Sequence, residues 1–502
     1  MKIKHTVLTV AALAAATGAF AQTSQIFAQD AIKFSTFQPG STARVKAVGN
    51  ASYAVGGDLS SISGNPAGIG LFTRSEMSIT PEFNGQKTGA NFLGSTNSAS
   101  HSTGNFNNAS VVFYNRVNTP KGADKTKGLL SLNFGLSYNR TNDFYQNAYY
   151  AGHNSTSSIS DYYAQLANNS NYIDKSGHAI LPDGALETIA YNQYLIDSVG
   201  KNTSNPNDPY ALYDSNVATG VNQAKSIVSS GGQSEFDATM GGNIGNKLYF
   251  GLGLGFTNIR YNATKTFSES GTELYNFNTT FQSDYLVDQI TKGNGFNARL
   301  GLIYRPENFI RLGVNVSTPT WYNITDDTRE GITTKYKTSP QAMNDYADYH
   351  SEYNLRTPWR VGGGIAFISK YGFITGDIDY VDYTTTHLSG YDGDADDNYY
   401  IQKLYRSTVN VRGGIEARVT QSLYLRGGYG IQGSPRKDIL GDTKTISGGI
   451  GYRFGDYYID ATYTNVKNSE ANATYAVNGL PTPIGNLNNQ YNNVYMTFGM
   501  RF

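Results

Sequence analysis

The chain has 502 residues and a formal net charge of +0, with 39 basic and 39 acidic residues. This balance is unlike the cationic footprint of a nucleic-acid-binding protein and argues against that class. The chain contains 0 cysteines, which excludes disulfide scaffolds, thiolate metal sites and cysteine nucleophiles. Mean hydropathy is -0.42 although 13% of the residues are aromatic. The fold must therefore use many rings while half of each segment stays polar.

The first 21 residues have the features of a secretory signal peptide. Lys2 and Lys4 supply a basic start, a short apolar stretch follows, and Ala19-Phe20-Ala21 is a small-residue cleavage site. We therefore expect residues 1–21 to be removed on export and the mature protein to begin at residue 22.

Residues 22–74 precede the first predicted strand and are rich in small and turn-forming residues. The positions that stand out are Gly57, Asp58, Asn65, Pro66, Ala67 and Gly68. A segment of this size and composition has too few large apolar side chains to build a core of its own. We therefore expect it to fold inside a container formed by the rest of the chain.

Residues 75–502 show the period of two that is typical of β-strands. In one segment, Ile446, Ile450 and Tyr452 share one face while Ser447 and Arg453 share the other. Such segments last about ten residues, which is enough to cross a bilayer at a tilt of about 45°. We predict that the apolar faces, including Met496 and Phe498 in the last segment, contact lipid.

About fourteen such segments alternate in direction, with short turns at one end and long loops at the other. This pattern predicts an all-β fold, a transmembrane antiparallel β-barrel over residues 75–502. A soluble sandwich would have shorter strands and a more highly charged outer face. Because the lumen of so many strands is too wide for wall side chains to fill, we predict that residues 22–74 plug it as an N-terminal hatch.

Several charged residues fall on the predicted inner face of the wall. They are Arg360, Asp377, Asp379, Arg412, Glu416, Arg418 and Arg453. One interpretation is a network that joins the wall to the hatch, and the other is an arginine that receives a ligand carboxylate by bidentate pairing. The sequence does not select one arginine for the second role.

Two long loops, residues 141–232 and 261–293, are expected at the extracellular end. Helical spacing predicts a helix from Asp183 to Gly200, another over 209–229, and a short one capped by Ser283. Their apolar residues are Leu186, Ile189, Tyr194, Leu286, Val287 and Ile290. These side chains either pack on one another or line a surface groove for a hydrophobic ligand.

No pattern points to an enzyme, a metal site or a cofactor. Residues 428–433 match G-x-G-x-x-G, but they lie in and just past a predicted strand with no helix behind it. Asp392, Asp394, Asp396 and Asp397 lack the glycine and glutamate positions of a calcium loop. The histidines show no paired spacing for a metal. We therefore predict no catalytic residues, no metal and no cofactor.

The run from Gly57 to Gly70, which contains Gly-Asp and Asn-Pro-Ala-Gly, resembles the N-terminal signature of the FadL/TodX family of outer-membrane channels. The runs Leu355–Arg360 and Tyr304–Glu307 resemble the same family, in its Bacteroidetes-type form. The resemblance implies a fourteen-stranded barrel with an N-terminal hatch. It also implies that a hydrophobic ligand, captured by extracellular loops, leaves sideways through a kink in the third strand, where Asn133 and Gly135 face inward.

The function expected from these observations is passive uptake of hydrophobic small molecules, such as long-chain fatty acids or hydrocarbons, through the outer membrane. A haem-binding or other receptor, and a surface barrel that binds partners without transport, remain alternatives. The expected partners are a fatty acid-like ligand, outer-membrane lipid and lipopolysaccharide, and the barrel assembly machinery through Phe502. No nucleic acid is expected, and the barrel is predicted to be a monomer in the bacterial outer membrane.

Overall fold

The computed structural model describes residues 26–38, 40–118, 126–170, 172–173, 179–201, 211–339, 341–437 and 441–502. The predicted signal peptide and the first four residues of the predicted hatch lie outside these ranges. Within them, no helix is both long enough and apolar enough to cross a membrane.

The hatch, residues 26–74, consists of short helical pieces. They are helix α1 (Ile26–Ser35), helix α2 (Ala43–Ala47) and two 3₁₀ turns, Leu59–Ser61 and Pro66–Leu71. Thr42 caps α2, because its hydroxyl accepts a hydrogen bond from the backbone N–H of Val45 at 3.4 Å. Elements this short gain little stability alone, so contacts with the surrounding strands must hold them.

The strands that follow form one antiparallel sheet with an inserted region. The first strands are β1 (Glu76–Phe92), β2 (Ser95–Phe113), β3 (Leu129–Asp143) and β4 (Gln146–Asn154). The insertion contains α3 (Ile159–Ser170), β5 (Tyr172–Ile173), β6 (Ala179–Ile180), α4 (Leu186–Asn192), β7 (Ile196–Lys201) and β8 (Ala211–Ser215).

The sheet continues after the insertion. Its middle strands are β9 (Val221–Ile244), β10 (Leu248–Glu273), β11 (Thr279–Glu307), β12 (Ile310–Ser317), β13 (Trp321–Tyr336), β14 (Met343–Arg356), β15 (Arg360–Ser369), β16 (Gly372–Asp382) and, after the 3₁₀ turn Tyr383–Thr385, β17 (His387–Ser389). After α5 (Asp394–Leu404), the last strands are β18 (Ser407–Arg418), β19 (Leu423–Gln432), β20 (Thr443–Phe454), β21 (Tyr457–Ala473) and β22 (Ile484–Arg501).

The sheet closes because β22 pairs with β1 as well as with β21, so that Ile79 lies opposite Phe498. The segments β12 and β13 form one pass through the wall, interrupted at Pro319, and β14 and β15 form another, interrupted at Pro358. β4 likewise continues β3 along β9, and β17 continues β16, so the wall has 14 strands. The predicted fold class, an antiparallel transmembrane barrel of about fourteen strands, is confirmed.

The two ends of the barrel differ as predicted. At one end, here called the turn end, connections are short, and Gly245 and Asn246 make a tight turn with φ angles of 59° and 56°. The chain also finishes at this end, where the N–H of Phe502 donates to the carbonyl of Ser75 at 2.9 Å. At the opposite end, here called the loop end, β10 and β11 extend into a long hairpin that turns at residues 274–278.

The outer surface carries a contiguous apolar belt. Ile446, Ile450 and Tyr452 are 60%, 48% and 52% exposed, which confirms the predicted register of that strand. Other outward-facing members of the belt are Phe134, Leu136, Phe236, Leu252, Leu254, Leu300, Leu302, Val314, Ile365, Ile374, Ile378, Val411, Ile415, Leu425 and Phe498. A belt of this size does not occur on a water-soluble monomer, so these side chains face lipid.

The predicted loop over residues 261–293, with its short helix after Ser283, is wrong. β10 and β11 contain 26 and 29 residues and pair without interruption from Leu248 opposite Tyr304 to Glu273 opposite Thr279. β11 also pairs with β13 over this stretch. Backbone hydrogen bonds on both edges therefore override the helical spacing of the apolar residues.

The predicted structure of residues 141–232 is partly wrong. The helix expected from Asp183 is present as α4, but it ends at Asn192 rather than at Gly200. The helix expected over 209–229 is absent, because β8 and the start of β9 occupy that range. Helices α3 and α5 were not predicted. As predicted, the glycine-rich run 428–433 lies in and just past a strand, β19.

Candidate functional site

Asn65 and Pro66 attach the hatch to the wall. The Asn65 Oδ1 accepts a hydrogen bond from the N–H of Ala67 at 3.1 Å, which caps the 3₁₀ turn. Its Nδ2 donates to the carbonyl of Tyr53 at 2.7 Å and to that of Leu302 in β11 at 3.4 Å. Pro66 occupies the first position of the turn, where a missing N–H costs nothing. One side chain therefore joins two hatch segments and the wall.

Glycines on the inner face of the wall make room for this turn. A Cβ at Gly301 would lie 1.9 Å from the Oδ1 of Asn65, and a Cβ at Gly251 would lie 2.3 Å from the carbonyl carbon of Pro66. Any other residue at these positions would push the hatch away from the strand. The alternating pattern of the sequence shows these glycines only as part of the inner face.

Gly57 and Gly68 let the hatch fold back on itself. Gly57 has a φ of 66°, a region that glycine adopts at little cost. Its N–H donates to the carbonyl of Gly68 at 3.0 Å. A Cβ at Gly68 would lie 2.4 Å from the Oγ of Ser61, so a side chain at this position would separate the two segments.

A buried ion network joins the hatch to the wall at Glu416. The Arg44 guanidinium of the hatch donates to both oxygens of Glu416, at 2.8 and 3.0 Å. It also lies 3.6 Å from Asp58. Glu416 accepts a further bond from Arg426 at 2.6 Å, and Arg426 donates to Asp460 at 2.7 Å. The interpretation of Glu416 as a bridge between wall and hatch therefore agrees with its contacts.

Two further predicted lumen acids also hold the hatch. Asp377 accepts hydrogen bonds from the backbone N–H groups of Ser52 and Tyr53 at 2.6 and 2.9 Å. Asp379 pairs with Arg412, whose guanidinium lies 5.2 Å from the centre of the Tyr53 ring. Carboxylates that receive backbone N–H groups fix the position of a chain segment, and they do so here in the middle of the hatch.

Two predicted lumen arginines lie away from the hatch. Arg453 pairs with Asp460 at 2.9 Å within the wall. Arg418 is exposed near the turn end, where it donates to the carbonyls of Thr420 and Gln421 at 3.3 and 3.2 Å. Arg418 is therefore on the inner face in register, but its contacts are those of a turn.

A small central cavity of about 60 Å³ lies between the hatch and the wall. Its lining is mostly hydroxyl and amide groups, together with the arginines Arg299, Arg360 and Arg412. Arg299 pairs with both Glu235 and Asp237. The cavity is thus suited to polar and charged groups.

An apolar chamber lies next to this cavity and is filled by α1. Ala28, Ala31, Ile32 and Phe34 of the helix are buried against rings and aliphatic groups of the wall and of α5. The wall side of the chamber consists of Phe144, Ile259, Tyr261, Tyr322, Ile324, Tyr353, Leu355, Val381, Tyr383 and Leu388. The chamber is the part of the lumen whose chemistry suits a hydrocarbon.

Helix α1 also makes polar contacts with the rest of the protein: the N–H of Ala28 donates to Asp397 of α5 at 3.3 Å, and the carbonyl of Ala28 accepts from Tyr405 at 3.2 Å. Asp30 accepts a hydrogen bond from Gln289 of β11 at 2.6 Å. Burial by itself would raise the pKa of Asp30, but the ammonium of Lys33 at 2.8 Å, with help from Lys265, holds it below its ordinary value. In the described part of the chain, no ion pair joins residues 26–41 to the wall.

The kink predicted at Asn133 and Gly135 is not present. β3 pairs in regular register with β2 and with β9 through both residues. The Nδ2 of Asn133 donates to the carbonyl of Ile69 in the hatch at 2.7 Å, and a Cβ at Gly135 would lie 2.8 Å from the Cγ1 of Ile62. These two residues face the hatch, so the wall there is closed and supported from inside.

β3 is irregular nearer the loop end. Pairing with β2 stops at Asn139, and Thr141 is an extra residue in the pairing with β9. Beyond this point, the Oδ2 of Asp143 accepts hydrogen bonds from Asn84 of β1 at 2.7 Å and Asn105 of β2 at 2.8 Å. We call this unpaired boundary between β2 and β3 the seam. Side chains rather than a backbone ladder close it.

The seam borders both the hatch and the apolar chamber. The carbonyl of Thr141 accepts a hydrogen bond from the N–H of Gln38 at 2.8 Å. Phe144, which follows directly after β3, packs edge-on against Phe34 of α1 with ring centres 5.6 Å apart. The chamber therefore reaches the seam between these two strands.

The residues of the predicted extracellular groove are not brought together on one surface. Leu186 and Ile189 are 7% and 2% exposed and belong to an apolar core between the insertion and the loop-end strands. Tyr194 is exposed, whereas Leu286 and Val287 are half-buried in β11 and Ile290 faces outward. The prediction that Leu186 and Ile189 line a ligand groove is wrong, because the apolar face of helix α4 is buried in this core.

Sequence reasoning did not find Phe37, Asp143 or Phe144. Each lies outside the regular alternation, in a hatch loop or at the end of a strand, and its role depends on a partner distant in sequence. The only local signal was the change from alternating residues to Asn142-Asp143-Phe144, which marks the end of a strand but not a seam.

No family model and no curated protein matches this chain. Solved structures do match this chain. A Pseudomonas aeruginosa FadL homologue matches with a TM-score of 0.53 and 11% identity over 93% of this chain and 100% of its own. The P. putida toluene transporter TodX matches with a TM-score of 0.53 and 11% identity over 92% of this chain and 99% of its own.

These matches define the class of fold, a closed transmembrane barrel with the architecture of FadL and TodX. At this level of identity they show the fold alone. The resemblance read from the run Gly57–Gly70 is confirmed as a resemblance of fold.

Proposed function

We propose that the protein is an outer-membrane channel for the passive uptake of hydrophobic small molecules, exported by its predicted signal peptide. The observation that carries this proposal is the apolar chamber, which is filled by helix α1 and reaches the seam at Phe144. The structural neighbours, named as a FadL homologue and a toluene transporter, support hydrophobic cargo.

In this proposal, a ligand enters from the loop end, takes the place of α1 in the chamber and leaves sideways between β2 and β3. Residues 42–74 and their ion network block the direct path to the turn end, and a polar lumen opposes passage of an apolar molecule. The seam delivers the ligand to lipid instead. Outer-membrane lipid, lipopolysaccharide and the assembly machinery remain predicted partners of a monomeric barrel.

Cross-linking tests the exit. The chain contains 0 cysteines, so Asn105→Cys with Asp143→Cys introduces a single pair across the seam, which a short bifunctional maleimide can bridge. The control pair is Ser110→Cys with Ser137→Cys, which lie opposite each other where the same strands are already paired.

Bridging the seam should abolish uptake of a long-chain fatty acid or alcohol into reconstituted vesicles, and bridging the control pair should not. Normal uptake through a bridged seam would exclude lateral exit at this place. No uptake by the unmodified protein, with the barrel shown to be folded by heat-modifiable migration on a gel, would exclude the proposed function.

A further inference from the structure

An open pocket of about 480 Å³ lies on the barrel between β14, β17 and α5. Its lining consists of Arg356, Thr384, Thr385, Thr386, His387 and Gln402. Arg356 lies directly opposite His387 where β14 pairs with β17, and both residues are exposed. Their strand neighbours Leu355 and Leu388 are buried in the apolar chamber. Because successive residues of a strand point to opposite faces, the pocket opens on the outside of the barrel.

The pocket borders the lipid-facing belt at the loop end. Arg356 also lies opposite Trp321, where β13 pairs with β14. Trp321, Trp359 and Tyr380 are exposed on the outer surface and form part of an aromatic girdle at this level. Such girdles mark the depth of the lipid head groups. The pocket therefore lies beside the head groups of the leaflet at the loop end, which is the predicted extracellular side.

Arg356 brings a positive charge to this pocket. In the part of the chain that the structure describes, its guanidinium makes no hydrogen bond and no ion pair. The carboxylate of Asp382 instead accepts hydrogen bonds from the N–H and the hydroxyl of Thr384, at 3.1 and 2.7 Å. Glu352, on the same face of β14 as Arg356, lies 3.7 Å from His350. A planar guanidinium with unused N–H groups suits bidentate recognition of a phosphate.

The hydroxyl of Thr386 is a second and independent sign of a ligand. Thr386 is 3% exposed, and its Oγ1 has no hydrogen-bond partner among the described residues. The other two pocket threonines use their hydroxyls within the turn, because those of Thr384 and Thr385 donate to the carboxylate and the carbonyl of Asp382. A buried hydroxyl without a partner is costly, and an acceptor oxygen in the pocket would satisfy it.

We propose that this pocket binds a phosphate group of a phosphorylated glycolipid of the outer leaflet, with Arg356 and Thr386 as the main contacts. A lipid is favoured over free phosphate because the acyl chains of a molecule held here would lie along the apolar belt beside Trp359. This inference goes beyond transport and uses only the outer-membrane location that is part of the proposed function.

The pocket also joins elements that enclose α1. Leu388, which follows His387, and Ile401, which precedes Gln402, are buried in the same apolar cluster as that helix. A head group bound from outside would therefore connect β14, β17 and α5 where they cover α1.

The test measures the binding of diphosphoryl lipid A, and of the same lipid after enzymatic removal of its phosphates, to the folded full-length protein in a non-ionic detergent by native mass spectrometry. The wild-type protein should bind the phosphorylated lipid about tenfold to a hundredfold more tightly, the effect of charge-assisted hydrogen bonds. Arg356→Met should remove most of this difference by weakening only the phosphorylated lipid. Arg329→Met removes an exposed arginine that pairs with Asp348 at 2.7 Å, and this matched control should change neither lipid.

Thr386→Val gives a second readout. It should weaken binding of the phosphorylated lipid about threefold, the effect of one hydrogen bond. It should not destabilise the lipid-free protein to denaturant, because the hydroxyl that it removes has no partner in the described structure. A loss of stability with unchanged lipid binding would overturn the assignment of Thr386 as a lipid contact.

Equal affinities of the wild-type protein for the two lipids would overturn the inference without any variant, so a folding failure of Arg356→Met does not leave it open. Inorganic phosphate that displaces lipid A at an equal concentration would overturn the choice of a lipid. If phosphate selectivity is absent while dodecanol enters vesicles, the lipid site fails and the channel function stands. If selectivity is present and nothing is taken up, the channel function fails and the lipid site stands.

Discussion

The two halves of the hatch are attached to the barrel by different kinds of contact. Residues 42–74 are tied by the Arg44–Glu416 ion pair, by backbone bonds to Asp377 and by a turn seated on Gly251 and Gly301. Residues 26–41 are held mainly by the apolar face of α1 and by hydrogen bonds, some of which involve the carboxylates of Asp30 and Asp397, and none of their described ion pairs reaches the wall.

This difference assigns different roles to the halves. Charge-assisted bonds between buried groups are strong when every partner is present, so the second half acts as a fixed plug. Apolar contacts can be replaced by those of an apolar ligand with little net change, and in the proposed function the first half is the part that a ligand displaces.

The largest effect is expected when the ion pair that attaches residues 42–74 to the wall is broken at Glu416. Glu416→Ala leaves Arg44 without its main partner and should cost about 3–5 kcal/mol, the cost of an uncompensated buried charge. The plug should loosen, and ion conductance across planar bilayers should rise. Glu352→Ala, an exposed acid of β14, is the control. Unchanged conductance in a folded Glu416→Ala barrel would show that this ion pair does not hold the plug.

The next largest effect is expected in the first half of the hatch, residues 26–41. Phe34→Ala removes a buried ring that contacts Phe144 and Tyr261 and should weaken the attachment of α1 by about 3 kcal/mol. Hydrogen exchange should accelerate for residues 26–35 and stay slow for residues 42–74. Tyr194→Ala, an exposed ring, should change neither segment. Faster exchange of both segments would mean that the hatch moves as one body.

A smaller effect is expected at the wall glycines, Gly251 and Gly301, against which the hatch turn packs. Gly301→Ala places a Cβ 1.9 Å from the Oδ1 of Asn65 and should destabilise the folded protein by about 1–3 kcal/mol through overpacking. The control is Gly448→Ala, whose Cβ would meet its nearest atom at 3.9 Å. Denaturant unfolding in detergent measures the difference. Equal stability of the two variants would argue that the hatch backbone shifts freely on the wall.

The smallest effect is expected at the seam. Asp143→Asn removes the charge from the hydrogen bonds to Asn84 and Asn105 and should cost about 1 kcal/mol, or about fivefold in how often the seam opens. Uptake of dodecanol should rise, whereas the exposed Asp345→Asn should behave like the wild-type protein. Slower uptake in Asp143→Asn would mean that the carboxylate assists passage rather than closes the wall.

The sequence was enough to predict the wall, because the inward or outward direction of Ile450 or Phe498 follows from strand alternation alone. It was not enough for β10 and β11 beyond the bilayer, where Leu286, Val287 and Ile290 have helical spacing but pair with strands on both sides. The sequence also could not show which of Arg360 and Arg412 pairs with an acidic residue. Both face inward, and only the position of Asp379 shows which one is neutralised.

The central claim is that α1 leaves the chamber during uptake while residues 42–74 stay in place. Two cysteine pairs test it directly, each bridged by a short bifunctional maleimide. Ala28→Cys with Asp397→Cys locks α1, and Ala47→Cys with Ser447→Cys locks the fixed half. Locking α1 should abolish dodecanoate uptake into vesicles, and locking the fixed half should leave it unchanged. Normal uptake with α1 locked, or loss of uptake only when the fixed half is locked, would contradict the account.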